Sequence, residues 1–538
     1  MQARATAVFC VIMLLMATSI FRVYYIGMSD HIAMVGVNQG TFGLLVANIR
    51  GRIYDRNFTP MVNNQYIYIA SVLPTPQAAT ALLGQATDDY EREVLTQRLG
   101  QVRPFVTPVN TIDIYAAGID VFRIPQRYGN VQLAPHLVGH LSGDERVGAM
   151  GIELAFNDWL NQTGGSITTI YRVDATGRTM RDGAVGVERE NPTARGGVVL
   201  TIDSRYQQLA QDALIMSGVN GAAVVMDIST GNILAMSSIP AFDQNDIVSS
   251  LGSEESPFIN RAISGFNVGS AFKLVVSAAA LEENIPVTFT YECGGRIDVG
   301  GQIFRCNNNA VHGETDMRRA LAVSCNTYFI YLAQQISQDS LVRVSQNLGF
   351  GLPSVLAPGM NSQPGNLPNL AELHVPAALA NFSFGQGTLM ASPLQMARAM
   401  TAMAGGGAMV HPRLVEGLTE DGETFAERFP IYAANQVLSN RTAEILHYLM
   451  IDTVENGSGR PARPTTGGAG GKTSSAQTGQ FAQDDEGNEH EVVHAWFAGF
   501  YPAERPRYSI VVFVEGGLSG ERVAAPIFRA IADGIPSQ

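Results

Sequence analysis

Apolar residues run without a charge from Ala5 to Phe21, and beyond Arg22 the apolar stretch continues to Gly27. A bilayer core needs about 20 such residues. With Arg22 snorkelling toward the headgroups, residues 1–28 are expected to form a transmembrane anchor, with Phe21, Tyr24 and Tyr25 as interfacial aromatics. A cleaved signal peptide is the competing reading, because Ala17-Thr18-Ser19 offers small residues to a peptidase. From residue 29 to about 195, short β-like runs such as Tyr66 to Ala70 are mixed with polar, helix-prone pieces such as Asp88 to Gly100. The pattern changes after Gly196-Gly197. Residues 198–203 read as a strand, and Ser204 to Ser217 has helical periodicity with Leu209, Ala213 and Leu214 on one face. The runs 221–228 and 232–238, joined by Ser229-Thr230-Gly231, predict a hairpin. Residues 494–501 and 508–515 predict a second strand pair, and Ala524 to Ala532 a closing helix. Nearly everything between the two strand pairs reads helical. Strands at both ends with helices between predict an α+β domain over 196–538, built on one antiparallel sheet assembled from distant segments.

Composition removes several function classes. The 35 basic and 48 acidic side chains leave a formal charge of −13, and no basic run tracks a phosphate backbone, so nucleic acid is not an expected partner. Four cysteines in 538 residues are too few for a disulfide scaffold and lack CxxC spacing. No metal site is expected.

In the first region, Arg50, Asp55 and Arg56 lie in Arg-Gly-Arg-Ile-Tyr-Asp-Arg-Asn at 50–57, which reads as a salt-bridged turn or, less simply, a site for an acidic ligand. His136 and His140 have the spacing of helical metal ligands, but Pro135 and Gly139 interrupt the helix and no glutamate completes an HExxH motif. They are read as structural. Three motifs in the second region carry chemistry. Ser270-Ala271-Phe272-Lys273 opens a helix, and positions i and i+3 share a face. A hydroxyl there can be activated by a lysine whose pKa is lowered. Ser324-Cys325-Asn326 precedes another helical run and offers a proton relay and an amide, or simply a helix cap. Lys472-Thr473-Ser474-Ser475 follows a Gly-rich stretch. It misses a phosphate-binding loop by one residue, Thr466 standing where that pattern needs Gly, and would also suit a flexible linker.

Taken together, S-x-x-K, S-x-N and K-T-x, roughly 50 and 150 residues apart, are the ordered signature of penicillin-recognising serine acyltransferases. The sequence resembles the class B penicillin-binding proteins, monofunctional D,D-transpeptidases of bacterial cell-wall synthesis, over almost its whole length. The resemblance also rests on RGRIYDRN at 50–57, GIE at 151–153, LTID at 200–203, GAAVVMDISTGNILAMSSIPAFDQN at 221–245 and FGQGTLMASPLQMARAM at 384–400. In the last, Ser392 and Gln395 predict a capping box with Pro393 at the first helical position.

The resemblance implies the penicillin-binding fold, an antiparallel five-stranded sheet flanked by helices plus an all-helical subdomain. An elongated mixed pedestal over 29–195 and one transmembrane helix would precede it. It implies that Ser270 is the nucleophile, Lys273 its general base, and Ser324 and Asn326 the organisers of the proton relay and substrate amide. Lys472 and Thr473 would bind the substrate carboxylate, with Ser475 and Gln386 in the substrate-binding set, and the backbone N–H groups of Ser270 and Ser475 would form the oxyanion hole. Peptidoglycan stem peptides would be substrates and β-lactams inhibitors, with no cofactor. A SEDS-type glycosyltransferase and other cell-wall synthesis proteins would be partners, and the catalytic domain would face outward from a single-pass anchor in the cell membrane. A β-lactam-responsive receptor or hydrolase of the same fold, and a non-catalytic cell-wall scaffold, are the alternatives. Two positions depart from the family pattern: Ser474 stands where Gly is usual, and Val268 where Pro is frequent. In that outward compartment Cys293 and Cys306 are a candidate disulfide pair, or two free thiols.

Overall fold

Stretches of β-branched and aromatic residues bounded by Gly become strands in the computed structural model, which describes residues 2–27, 40–101, 103–143, 147–174, 178–483 and 488–536, without side chains at 2–8, 25–27 and 181–183. By packing, the chain divides into two units: Met1–Arg50, Asn63–Arg127 and Thr163–Ala194 form the first, and Gly51–Val62, Tyr128–Gln162 and Arg195–Gln538 the second.

This division differs from the contiguous pedestal expected over 29–195, since 51–62 and 128–162 pack with the second unit. The cause is a non-local strand pair. Arg52–Tyr54 lies parallel to Gly197–Leu200 in register Arg52↔Gly197, and a Cβ on Gly197 would fall 1.9 Å from the Arg52 carbonyl oxygen. Such a pairing has no signature in linear periodicity. The same segment explains Asp55. Its carboxylate accepts the backbone N–H groups of Asn57 (2.8 Å), Thr59 (2.9 Å) and Ser204 (3.2 Å), so it closes a turn and supports the start of a helix. His136 is likewise structural: buried, 2.7 Å from the Pro257 carbonyl oxygen, and edge-on to Phe242.

In the first unit, Thr41–Ile49, Gly165–Val173 and Thr179–Glu190 form one antiparallel sheet. Gln65–Val72 is the centre strand of another, between Phe105–Val109 and Ile119–Gln126. Helix Asp89–Leu99, capped by Asp88, and helix Pro76–Leu83, capped by Thr75, cover a small core of Ala70, Val72, Ala78, Leu82 and Leu95. Helix Gln2–Gly27 opens the chain, and its described side chains, residues 9–24, are exposed. Among the described residues no helix is long and apolar enough to cross a membrane. The Tyr25 side chain expected at the interface lies outside the described residues.

The second unit is built on a five-stranded antiparallel sheet of β1 (Gly221–Asp227), β2 (Ile233–Ile239), β3 (Gly470–Gln483), β4 (Glu489–Tyr501) and β5 (Tyr508–Val514), in the order β2-β1-β5-β4-β3. Both expected strand pairs are present, and the sheet joins segments from opposite ends of the domain. Its two faces are buried in different cores. Ala222, Val224 and Met226 of β1 join Val511 and Phe513 in one, whereas Ala223 and Val225 join Ile510, Val512 and Phe528 in the other. Period-two alternation is therefore real but invisible in the sequence, because both faces require apolar residues. Helices α1 (Ser204–Met216) and α7 (Ala525–Gly534) cover one face. The other face and the helical half hold α2 (Lys273–Glu282), α3 (Met317–Ala322), α4 (Asn326–Ala333), α5 (Pro393–Ala404) and α6 (Asn440–Asn456). α5 is buried along its whole length and has the expected capping box, Pro393 included. Most of its residues are apolar, which suits a core helix, and its buried Gln395 is satisfied by the Gly349, Leu352 and Pro364 carbonyls.

Candidate active site

The Ser270 backbone is held from three directions. Phe266–Asn267 pairs with Met390–Ala391, and the Trp496 indole N–H donates to the Asn267 carbonyl at 2.9 Å. The Ser474 hydroxyl donates to the Val268 carbonyl at 2.7 Å, and the Gly269 N–H to the Gly385 carbonyl at 2.8 Å. Gly269 has φ 61° and Gly385 φ 80°, values that favour a residue without Cβ. The chain then makes a 3₁₀ turn over Gly269–Phe272 and enters α2 at Lys273. Ser270 thus projects, half-buried, from the last turn before a helix whose residues 273–280 are all buried.

Lys273 is fully buried. Its Nζ donates to the Ser324 carbonyl (2.8 Å), the Ser324 hydroxyl (3.2 Å) and Asn326 Oδ1 (2.7 Å). Among the described residues these are its side-chain hydrogen bonds, and none reaches Ser270. Burial pulls its pKa down to about 7, because an ammonium loses its hydration there, and this makes a neutral amine accessible near physiological pH. The acceptors come from a tight turn between α3 and α4. Ser324 lies in the left-handed region at φ 56°, a strained conformation of the kind functional turns retain, and the Asn326 Nδ2 donates to the Arg305 carbonyl at 3.0 Å. One amide therefore bridges the lysine and the Arg296–Val299/Gln302–Arg305 hairpin.

β3 is the edge strand of the sheet and contributes the third motif. Period-two alternation places Lys472 and Ser474 on one face, toward the Ser270 backbone. Lys472 is fully buried, and its Nζ donates to the Thr473 carbonyl at 3.0 Å. Its pKa is held well below the usual lysine value, first by burial and then by the charge of Lys273. The Thr473 hydroxyl is 2.9 Å from that of Ser458, a residue the motifs do not reveal. Ser475 is exposed, and its hydroxyl accepts the Gly520 N–H at 3.2 Å. Gln386 is half-buried next to Gly385, and its backbone N–H donates to the Asn381 carbonyl. A half-buried hydroxyl, a buried amine of lowered pKa one helical turn away, a second lysine and an edge strand with backbone groups outside the sheet ladder form the equipment of serine acyl transfer.

The pair considered as a disulfide is not bonded. Cys293 and Cys306 are free thiols with Sγ atoms 3.8 Å apart. Cys306 Sγ is also 3.7 Å from Cys325 Sγ, and Cys293 Sγ is 3.3 Å from His312 Nδ1. These four donor atoms lie within 4.8 Å of one another. This cluster, and His312 in particular, has no signature in the sequence, because the spacing matches no compact metal motif.

Residues 221–533 match the family described as the penicillin binding protein transpeptidase domain. The chain is 26% identical to the peptidoglycan D,D-transpeptidase MrdA of Acinetobacter baumannii, over 89% of this chain and 80% of that protein. It is 28% identical to the peptidoglycan D,D-transpeptidase PbpA of Mycobacterium tuberculosis, over 84% and 92% respectively. The structure of penicillin-binding protein A from M. tuberculosis as its ceftriaxone acyl-enzyme complex superposes with a TM-score of 0.64 at 26% identity, covering 77% of this chain and 93% of that one.

Proposed function

The chain belongs to the penicillin-binding protein transpeptidase family, and from that membership we propose that it is a serine D,D-transpeptidase crosslinking peptidoglycan stem peptides, with Ser270 as nucleophile. Lys273 takes the Ser270 proton as Oγ attacks the penultimate D-Ala carbonyl. The C–N bond breaks, and the terminal D-Ala leaves with a proton returned through Ser324. An amine from a neighbouring stem then attacks the acyl carbonyl and gives a proton to Lys273, the ester C–O bond breaks, and the proton returns to Ser270 Oγ. Lys472 and Thr473 bind the substrate carboxylate, Asn326, Ser475 and Gln386 line the acyl chain, and the Ser270 and Ser475 N–H groups hold the oxyanion. The observation that carries the reading is Lys273, buried, with a pKa near 7 and hydrogen-bonded to Ser324 and Asn326. β-Lactams are taken as substrate mimics that stop at the acyl-enzyme.

Residues 1–28 are proposed as a single-pass anchor with the catalytic unit outside the cell membrane, and a SEDS-type glycosyltransferase as partner. In support, the exposed side chains from Phe9 to Tyr24 are uncharged apart from Arg22.

Labelling with a fluorescent penicillin tests the chemistry: the wild type is expected to label and Ser270→Ala is not. Crosslinks formed from lipid-linked substrate, polymerised by a partner glycosyltransferase, test the transfer step. Acylation without crosslinking, or rapid release of hydrolysed penicillin, would refute it.

A further inference from the structure

Residues 50–57 read as a salt-bridged turn or as a site for an acidic ligand, and the turn accounts for Asp55 but not for Arg56. The Asp55 carboxylate is taken by three backbone N–H groups. Among the described residues the Arg56 side chain makes no hydrogen bond or ion pair, while its backbone N–H donates to the Ile202 carbonyl at 2.9 Å. That bond fixes Arg56 beside the start of α1, where the half-buried residue lines a cavity of about 250 Å³. The cavity lies wholly within the second unit and contains no residue of the three motifs. Arg205 and Arg507, both exposed, reach it from α1 and from the start of β5. We propose that this cavity is an anion site that takes a phosphate ester.

The lining sets three guanidiniums against two carboxylates, Asp203 and Asp227, and both carboxylates are already engaged. Asp203 accepts the Arg205 backbone N–H at 3.1 Å and the same residue's Nε and Nη2, each at 3.2 Å. Asp227 Oδ1 accepts from Ser229 and Thr230, backbone and hydroxyl alike, at 2.6–3.0 Å. The groups left over are donors. A guanidinium carries five N–H bonds, and Arg205 spends two of them on Asp203. The Tyr206 and Tyr508 hydroxyls, 3.4 Å apart, have two protons for one shared bond. Burial raises the Tyr508 pKa, so that phenol keeps its proton. The helix end itself adds nothing, because Asp55 and Asp203 already accept the first N–H groups of α1.

The ligand class follows from the donors. A carboxylate presents its two oxygens in one plane and satisfies a single guanidinium fork. A tetrahedral phosphate presents oxygens in several directions, which matches arginines arriving from three separate segments. Aromatic rings hold two of these arms at the rim: the Arg507 guanidinium carbon lies 5.3 Å from the Tyr508 ring centre, and that of Arg205 lies 5.9 Å from the Tyr206 ring centre. Pockets for drug-sized ligands begin at about 300 Å³, so this one suits a small phosphorylated group. Soluble esters and lipid headgroups both carry such a phosphate.

The test is calorimetric titration of the full chain, held in dodecyl maltoside at about 0.15 M salt, with glycerol 3-phosphate. Saturable binding of one phosphate per chain is expected. Arg56→Gln and Arg507→Gln are each expected to weaken it about 10-fold or more, the loss of a charge-assisted hydrogen bond. If Arg56→Gln lowers the melting temperature, Arg507→Gln carries the comparison, because that side chain is exposed. Repeating the titration in micelles that also contain phosphatidylglycerol separates the two sources. Competition by the lipid assigns the site to a headgroup, and undiminished binding assigns it to a soluble ester. Absence of saturable binding, wild-type affinity in Arg507→Gln, or succinate binding as tightly as glycerol 3-phosphate overturns the proposal. Calorimetry needs no penicillin, so the outcome is independent of the transpeptidase reading.

Discussion

The Ser474 hydroxyl donates to the Val268 carbonyl at 2.7 Å, joining the K-T-x strand to the backbone two residues before the nucleophile. Both family departures meet in this one contact. Ser474 is buried in ordinary strand conformation, and the site accommodates its side chain below Gly269, where an added Cβ would come within 2.5 Å of the Ser474 hydroxyl oxygen. Val268 supplies the acceptor. A side chain at 474 therefore anchors the nucleophile loop instead of obstructing the pocket.

Replacing Ser474 with Gly is expected to remove that hydrogen bond and add backbone freedom. The cost is about 1 kcal/mol for the bond and about 0.5–1 kcal/mol for glycine in a strand. Ser270 should still be labelled by penicillin, since Lys472 and Thr473 are untouched. Ser474→Val should cost more, because its methyl groups keep water from the Val268 carbonyl that glycine would leave room to reach, a penalty of about 1–3 kcal/mol. Denaturant unfolding ranks the two variants, and a valine variant as stable as wild type would show that the contact contributes nothing.

Acylation should depend on pH through Lys273. Its pKa is lowered to about 7 by burial, and the neutral amine is the base, so the acylation rate rises with pH through about 7 and levels above it. Lys472 is close enough to couple, so the observed value belongs to the pair. Stopped-flow acylation by a chromogenic β-lactam across the neutral range reads this directly. A rate that stays flat from mildly acidic to mildly basic pH would remove Lys273 from the base role.

The residues proposed for catalysis were legible because the chemistry proposed for them demands particular side chains in a particular order. Ser270, Lys273, Ser324, Asn326, Lys472 and Thr473 all fall in one region of the second unit. The supports were not. Trp496 reads as a core aromatic in an apolar strand, yet its indole N–H holds Asn267. Gly385 reads as one more loop glycine, yet it packs on the nucleophile turn. The parallel pairing of 52–54 with 197–200 and the meeting of three cysteines with His312 join residues far apart in the chain, and contacts of that kind leave no local periodicity to read.

Gly385→Ala should be among the most damaging single-methyl changes in the protein. The new Cβ would lie 1.9 Å from the Gly269 carbonyl oxygen and 2.9 Å from Phe272 Cβ, at φ 80°. Neither neighbour can yield without moving the turn that bears Ser270. Acylation should fall at least about 100-fold, the effect of a displacement of about 1 Å in a reacting group, and the melting temperature should drop as well. Gly387→Ala is the control: φ there is also positive, at 78°, but the nearest atom to a Cβ is 3.4 Å away, so the strain is conformational only. If the control proved equally damaging, crowding at Gly269 would not be the cause.

Asn326 separates a charge effect from a geometric one. Its Oδ1 accepts from Lys273 at 2.7 Å while its Nδ2 donates to Arg305. Asn326→Asp keeps the acceptor and adds a negative charge, which favours the protonated lysine. The Lys273 pKa should rise above its value of about 7, moving the acid limb of the acylation profile to higher pH, so activity lost at neutral pH should return in part under alkaline conditions. Asn326→Ala removes the acceptor without adding charge, and it also releases the Arg305 carbonyl. Its loss should persist at every pH, because an unpositioned amine is not repaired by deprotonation. Parallel acylation profiles of the two variants distinguish the effects. If the aspartate variant showed the same acid limb as wild type, the Lys273–Asn326 contact would orient the lysine without setting its charge.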